Sequence, residues 1–201
     1  IMFRAGDSFL LKMRYSFLRD AGMSMEQFGV AGGTFGLFAS FTATLIGGFL
    51  LARGGLQRWI WPFVVLQNVL NLLYMALAWH RDTLLQAGVS TVALPLLTGV
   101  VTLEAFGSGF GTAVFMVYIM RCCRPAYKAA HMAILTALMS LSFTLAGVVS
   151  GFLAEWLGYT LYFGFTFLAT IPSMILILFI PYLDGTSAAD LAPLPAREPA
   201  S

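Results

Sequence analysis

From Val89 to Met120 the chain stays apolar throughout, and one charged residue, Glu104, stands near the middle of that run. A helix needs about 20 apolar residues to cross roughly 30 Å of hydrocarbon. Inside a bilayer only helices and closed barrels satisfy their own backbone. A barrel would show short alternating segments separated by turns, whereas this chain repeats the long apolar run. Candidate spans cover residues 1–18, 28–52, 60–79, 89–120, 129–154 and 161–183. The sequence therefore reads as an all-α integral membrane protein with six transmembrane helices.

Composition excludes the other classes. Of 201 residues, 59% are hydrophobic and 10% charged, where a soluble domain carries about 25% charge. A scattered net charge of +2 leaves no footprint for nucleic acid. Cys122 and Cys123 are neighbours, so no disulfide framework exists. His80 and His131 lie near different span ends, which argues against a paired metal site. No catalytic constellation or cofactor motif is visible, so neither an enzyme nor a cofactor is expected. Residues 1–183 form the membrane unit, and 184–201, rich in Pro, Ala and Ser, read as a disordered tail. The first residue is Ile, so the sequence reads as starting within a longer protein.

Loop charge gives an orientation. Arg53, Arg58, Arg121, Arg124 and Lys128 fall on one side, while Arg19 and Arg81 fall on the other among Asp20, Glu26, Asp82 and Glu155. The side richer in Lys and Arg is expected in the cytoplasm, together with the start of the chain and its tail. Trp59, Trp61, Trp79 and Trp156 stand at span ends, where aromatic belts form. Two octamers, Gly48–Gly55 and Gly151–Gly158, share the pattern G-F-L-x-x-x-x-G. Each closes the middle helix of a three-helix group, as two inverted three-helix repeats require.

Polar residues at membrane depth point to function. Placing Glu104 mid-span costs roughly 2.5–3.5 kcal/mol on insertion scales, so such a residue faces a cavity or a partner. Its charge survives there only if a cation is close. Gly107, Ser108, Gly109, Gly111 and Thr112 leave one side of that helix nearly bare, suited to a moving, substrate-lining helix or to tight packing. Pro95 is placed to bend the same helix near its outer end. In the first span, Arg4, Asp7 and Arg14 fall within about 80° of one another at 100° per residue, while Lys12 points elsewhere. Such a stripe should line water or protein. Gln67, Asn71 and Tyr74 share a face at i, i+4 and i+7, suited to ligand hydroxyls and amides or to bonds between helices. Thr136, Ser140, Gly147 and Ser150 or Gly151 form a small seam read as helix packing.

These segments resemble a known family. FRAGDSFLLKM (Phe3–Met13), GGTFGLFAS (Gly32–Ser40), LQNVLNLLY (Leu66–Tyr74), EAFGSGFGTAVF (Glu104–Phe115), AILTALMSL (Ala133–Leu141) and GVVSGFLAEWLGY (Gly147–Tyr159) together are similar to the carboxy-terminal half of major facilitator superfamily transporters. Within it they resemble the AmpG-like muropeptide permeases. The superfamily's loop signature, Gly-x-x-x-Asp-Arg-x-Gly, is matched by Gly48, Arg53 and Gly55, with Ala52 in place of the acid. That departure puts the local gating salt bridge in doubt.

The resemblance implies half of a twelve-helix fold, whose amino-terminal six-helix half is a partner missing from this chain. It implies alternating access and proton-coupled uptake of peptidoglycan-derived anhydro-sugar peptides across the bacterial inner membrane. Glu104 and Asp7 would then couple protons or bind solute. Arg4, Lys12, Gln67, Asn71 and Tyr74 would line the cavity. Relatives of the group carry other solutes, including siderophores and acyl-CoA-like compounds. A membrane scaffold or receptor that transports nothing is the alternative of a different class.

Overall fold

A computed structural model describes residues 5–123 and 127–179. Arg4, Arg124, the end of the sixth expected span and the tail lie outside these residues. All the described secondary structure is helical. Helix α1 spans Ala5–Asp20. Ser24 then caps α2 (Met25–Phe28) with a capping box: its hydroxyl accepts from the Gln27 backbone N–H at 3.2 Å, and the Gln27 side chain accepts from the Ser24 N–H at 2.9 Å. Without a break, α2 enters a π-helical segment, Gly29–Gly36, and then α3, Leu37–Gly54. The segment GVAGGTFG is glycine-rich, so few side chains crowd its wide turns.

Glycine punctuates the rest. Gly55, at φ 77° and ψ 158°, ends α3 and starts α4 (Leu56–Gln86), a conformation that costs a side-chain-bearing residue dearly. Helix α5 covers Leu94–Cys122, with Pro95 in its first turn. The expected bend at Pro95 is therefore absent, because a first-turn proline has no helical hydrogen bond to lose. Helix α6 covers Lys128–Leu168 but leaves helical geometry at Gly158, whose φ 72° and ψ 163° repeat the Gly55 values. A short α7, Ile171–Ile177, follows.

Four helical stretches are long and apolar enough to cross a membrane: Met25–Gly54, Leu56–Gln86, Leu94–Cys122 and Lys128–Ile177. The last holds the Gly158 break, in the gap expected between residues 154 and 161. Helix α1, at 16 residues, is shorter and more polar. Helix α4 runs on through Trp79, His80, Arg81 and Asp82, which the sequence had closing a span. A polar clamp explains the extension. Tyr159 donates to Asp20 at 2.8 Å, Thr160 donates to Asp82 at 2.7 Å, and Arg81 Nε donates to the Asp20 carbonyl at 3.3 Å. These bonds give the polar end of α4 partners on α1 and α6.

Helix α3 packs chiefly on α5, α4 on α5 and α6, and α1 on α6. Two apolar clusters result. One gathers Phe17, Tyr74, Val101, Tyr162 and Phe163 near the Asp20 end. The other gathers Leu51, Leu56, Phe63, Phe110 and Val114 near the Gly55 end. On α4 the residues Gln67 and Asn71 fall between the two, and on α5 Glu104 does the same. The outer faces of α3 and α6 are exposed and apolar, with Phe38, Leu45, Val148 and Phe152. Lipid suits such surfaces and water does not.

Candidate functional site

The polar layer between the two clusters is built on α1. Its face presents Asp7 and Arg14, two helical turns apart. Opposite stand Gln67, Asn71 and Tyr74 on α4, so the two stripes legible in the sequence meet. Asn71 Nδ2 donates to Asp7 Oδ1 at 2.9 Å, and Gln67 Nε2 donates to Asp7 Oδ2. Asp7, Gln67 and Asn71 are all buried. A carboxylate taken out of water needs such donors.

Arg14 reaches the third helix. Its Nη1 lies 2.8 Å from Glu104 Oε2, in a charge-assisted hydrogen bond. The Glu104 side chain is 4% exposed and that of Arg14 is 20% exposed. The lone acid of the longest apolar run thus has its cation, supplied from another helix. Tyr74 is fully buried beside this pair, and its hydroxyl makes no hydrogen bond of ordinary geometry.

Small residues on α5 sort by neighbour. A β-carbon on Gly107 would meet Leu70 Cδ1 at 2.7 Å, and one on Gly109 would strike Ser40 and Ala43 on α3. One on Gly111 would overlap the Gln67 amide. Close helix approach accounts for all three. Ser108 instead faces a groove of about 580 Å³ between α1, the π-helical segment with α3, and α5. Arg14 and Glu104 line this groove together with Ser40, Phe41 and Thr44. Helical spacing carries no signal for a groove role of Ser40, Phe41 and Thr44, because that role depends on how α3 docks.

Other expected residues fall elsewhere. Lys12 does not join Asp7: its Nζ lies 3.9 Å from the centre of the Phe143 ring on α6. A β-carbon on Gly147 would come within 3.0 Å of Lys12 Cε, so this glycine makes room for the lysine stem. Gly48 and Gly151 face open space, so Gly151 packs against no helix described here. Arg53 stacks on Phe49 at 4.3 Å, and Gly55 supplies the turn after it. No group of His, Cys, Asp and Glu among the described residues is placed to hold a metal.

Fold and site together describe a helical membrane protein with a partly buried ion pair at the side of an open groove. No protein-family model matches the chain. It is similar to an uncharacterized protein of Haemophilus influenzae, 29% identical over 181 residues, which cover 89% of this chain and 41% of that protein. It is equally similar to the anhydromuropeptide permease of Escherichia coli K12, at 29% over 179 residues, 89% of this chain and 34% of the permease. A Rickettsia bellii protein carrying the name AmpG 2 is 28% identical over 181 residues, 90% of this chain and 42% of that protein. The resemblance to the AmpG-like permeases extends over nearly the whole chain, and the chain spans about two fifths of the length of the curated relatives it matches.

Proposed function

We propose that the chain is one half of a secondary transporter of the muropeptide permease type in the bacterial inner membrane. It works with an amino-terminal six-helix half, and the cavity between the halves carries peptidoglycan-derived anhydro-sugar peptides with protons. Arg53 and Arg58 lie on the cytoplasmic side, with the chain start and tail. The unit over 1–183 is a pair of inverted three-helix repeats. The matching octamers support that arrangement, because both end on glycines of one backbone conformation, Gly55 and Gly158.

The observation that carries the reading is the Arg14–Glu104 pair beside an open groove, in a chain related to permeases. Protonation of Glu104 would cancel its charge, loosen Arg14 and change what the groove offers a solute. Carrier states of different protonation then differ in affinity, which is what coupling requires. Asp7, with Gln67, Asn71 and Tyr74, fixes the helix faces around the pair. Gly55 supplies the gating turn between α3 and α4, with Arg53 in the last turn of α3 and Gly48 further up the same helix.

The test uses the complete permease. Glu104→Gln mimics the protonated acid, so proton-driven accumulation should fail while exchange of labelled for unlabelled muropeptide persists. Full accumulation by this variant would move coupling to Asp7. Absence of any muropeptide flux in the unaltered permease would overturn the transport reading.

A further inference from the structure

Among the described residues, the Tyr74 hydroxyl is buried without a hydrogen bond of ordinary geometry. The side chain has no exposure, and its ring is held in the core by Phe17 and Phe163, with centroids 6.5 Å and 5.4 Å away. Burying an unpaired hydroxyl is costly, and phenylalanine would fill the same space without that cost. A polar group kept in such a place needs an explanation, and a second state of the site supplies one.

The hydroxyl stands beside the ion pair, near enough to act electrostatically on both Arg14 and Glu104. Three helices thus converge on the guanidinium: α1 carries it, α5 supplies the carboxylate and α4 supplies the phenol. A guanidinium only donates, and a phenol oxygen can accept. Arg14 is partly exposed on a long stem and can turn, whereas the Tyr74 ring is locked by its neighbours. Other charged and titratable groups on the surrounding helices are engaged elsewhere. Asp7 accepts from Gln67 and Asn71, and Lys12 rests on Phe143. Tyr15 packs on Phe28, and Arg53 of α3 stacks on Phe49. On α6, Tyr159 donates to Asp20 and Tyr162 donates to the Phe9 carbonyl. The segment Gly29–Gly36 contains no titratable residue.

We propose that Tyr74 is a positioning residue for coupling: when Glu104 takes up a proton, the Tyr74 hydroxyl accepts the Arg14 guanidinium in its place. The proton adds to a carboxylate oxygen of Glu104, and an N–H of Arg14 passes from that carboxyl group to the phenol oxygen. The protonated state is spared a stranded cation, and the hydroxyl gains the partner it lacks. Arg14 and Glu104 line the groove and Tyr74 does not. The exchange therefore draws the cation from the groove wall toward the core, so that protonation changes what a solute meets. The proposal rests on the reading of Glu104 as the coupling acid.

Two measurements on the complete permease test this. Dicyclohexylcarbodiimide reacts with protonated carboxyls shielded from water. Its adduct on Glu104, followed across a pH series in nanodiscs by peptide mass spectrometry, reports protonation of that residue. Tyr74→Phe removes the acceptor from the protonated state and the unpaired hydroxyl from the ionised one. Both changes weaken proton binding. The Glu104 labelling midpoint should move down by about one pH unit, a roughly tenfold loss of proton affinity, on the scale of one hydrogen bond to a charged group. Tyr162→Phe, which removes a hydroxyl already committed to the Phe9 carbonyl, should leave the midpoint in place. An unchanged or raised midpoint in Tyr74→Phe, or an equal fall in both variants, overturns the proposal. In the second measurement, the pH dependence of muropeptide accumulation should move with the labelling midpoint. A lowered midpoint that accumulation does not follow would sustain the exchange of partners at Arg14 and remove Glu104 from coupling.

Discussion

The side-chain carbonyl of Gln67 occupies the space in which a β-carbon on Gly111 would stand. One glycine on α5 thereby sets the position of the amide on α4 that holds Asp7 of α1. Gly111→Ala should push Gln67 off Asp7 and destabilise the protein by about 1–3 kcal/mol, the usual cost of overpacking. Gly151→Ala, where a β-carbon meets nothing within 4 Å, should change stability by less than about 0.5 kcal/mol. Thermal unfolding in detergent separates the two, and equal effects would refute the packing role of Gly111.

The Arg14–Glu104 pair should behave as a unit. Arg14→Gln leaves a nearly buried carboxylate without its cation, which costs up to roughly 3 kcal/mol at this partial exposure. Glu104→Gln strands the cation similarly. The double variant should recover most of the loss, giving a coupling energy of about 1–3 kcal/mol in a double-mutant cycle. Additive losses would mean that the bond contributes little.

Tyr74 separates ring from hydroxyl. Its ring packs on Phe17 and Phe163, with centroids 6.5 Å and 5.4 Å away, while its buried hydroxyl lacks a hydrogen bond of ordinary geometry. Tyr74→Phe should therefore leave stability unchanged or raise it by up to about 1 kcal/mol. Tyr74→Ala should cost about 3–5 kcal/mol through the cavity it opens. A large loss in the Phe variant would show that the hydroxyl is paired.

Orientation is open to labelling in a background without Cys122 and Cys123. Leu56 is fully buried and unsuited to it, whereas Gln57 and Ser90 are exposed. In intact cells an impermeant maleimide should modify Ser90→Cys and spare Gln57→Cys, as the positive loop charge requires. The reverse pattern would invert the topology.

The sequence exposed the two polar stripes because helical spacing alone places Asp7 with Arg14 and Gln67 with Asn71 and Tyr74. It did not expose the partner of Glu104. Arg14 and Glu104 are 90 residues apart, and no local pattern says which face of α1 meets α5. The same limit hid Ser40, Thr44 and the seat of Lys12 on Phe143. Helix α4 runs on past the expected end of its span, through polar residues that read as loop. Arg81 and Asp82 stay helical because Asp20 and Thr160 supply partners from other helices. Pro95 failed as a bend for the opposite reason, a purely local one: it stands in the first turn.

The π-helical segment Gly29–Gly36 also bears on which chain lengths this fold accepts. Its wide turns hold more residues than α-helical turns along the same course. A deletion of one residue there can be absorbed by a return to ordinary α-helical bonding, with Ser40 and Ala43 still turned toward Gly109. The same deletion within Leu37–Gly54 has no such slack and rotates everything beyond it by about 100°. Natural length variation in this half of the molecule should therefore collect in Gly29–Gly36, and α3 should keep a fixed count.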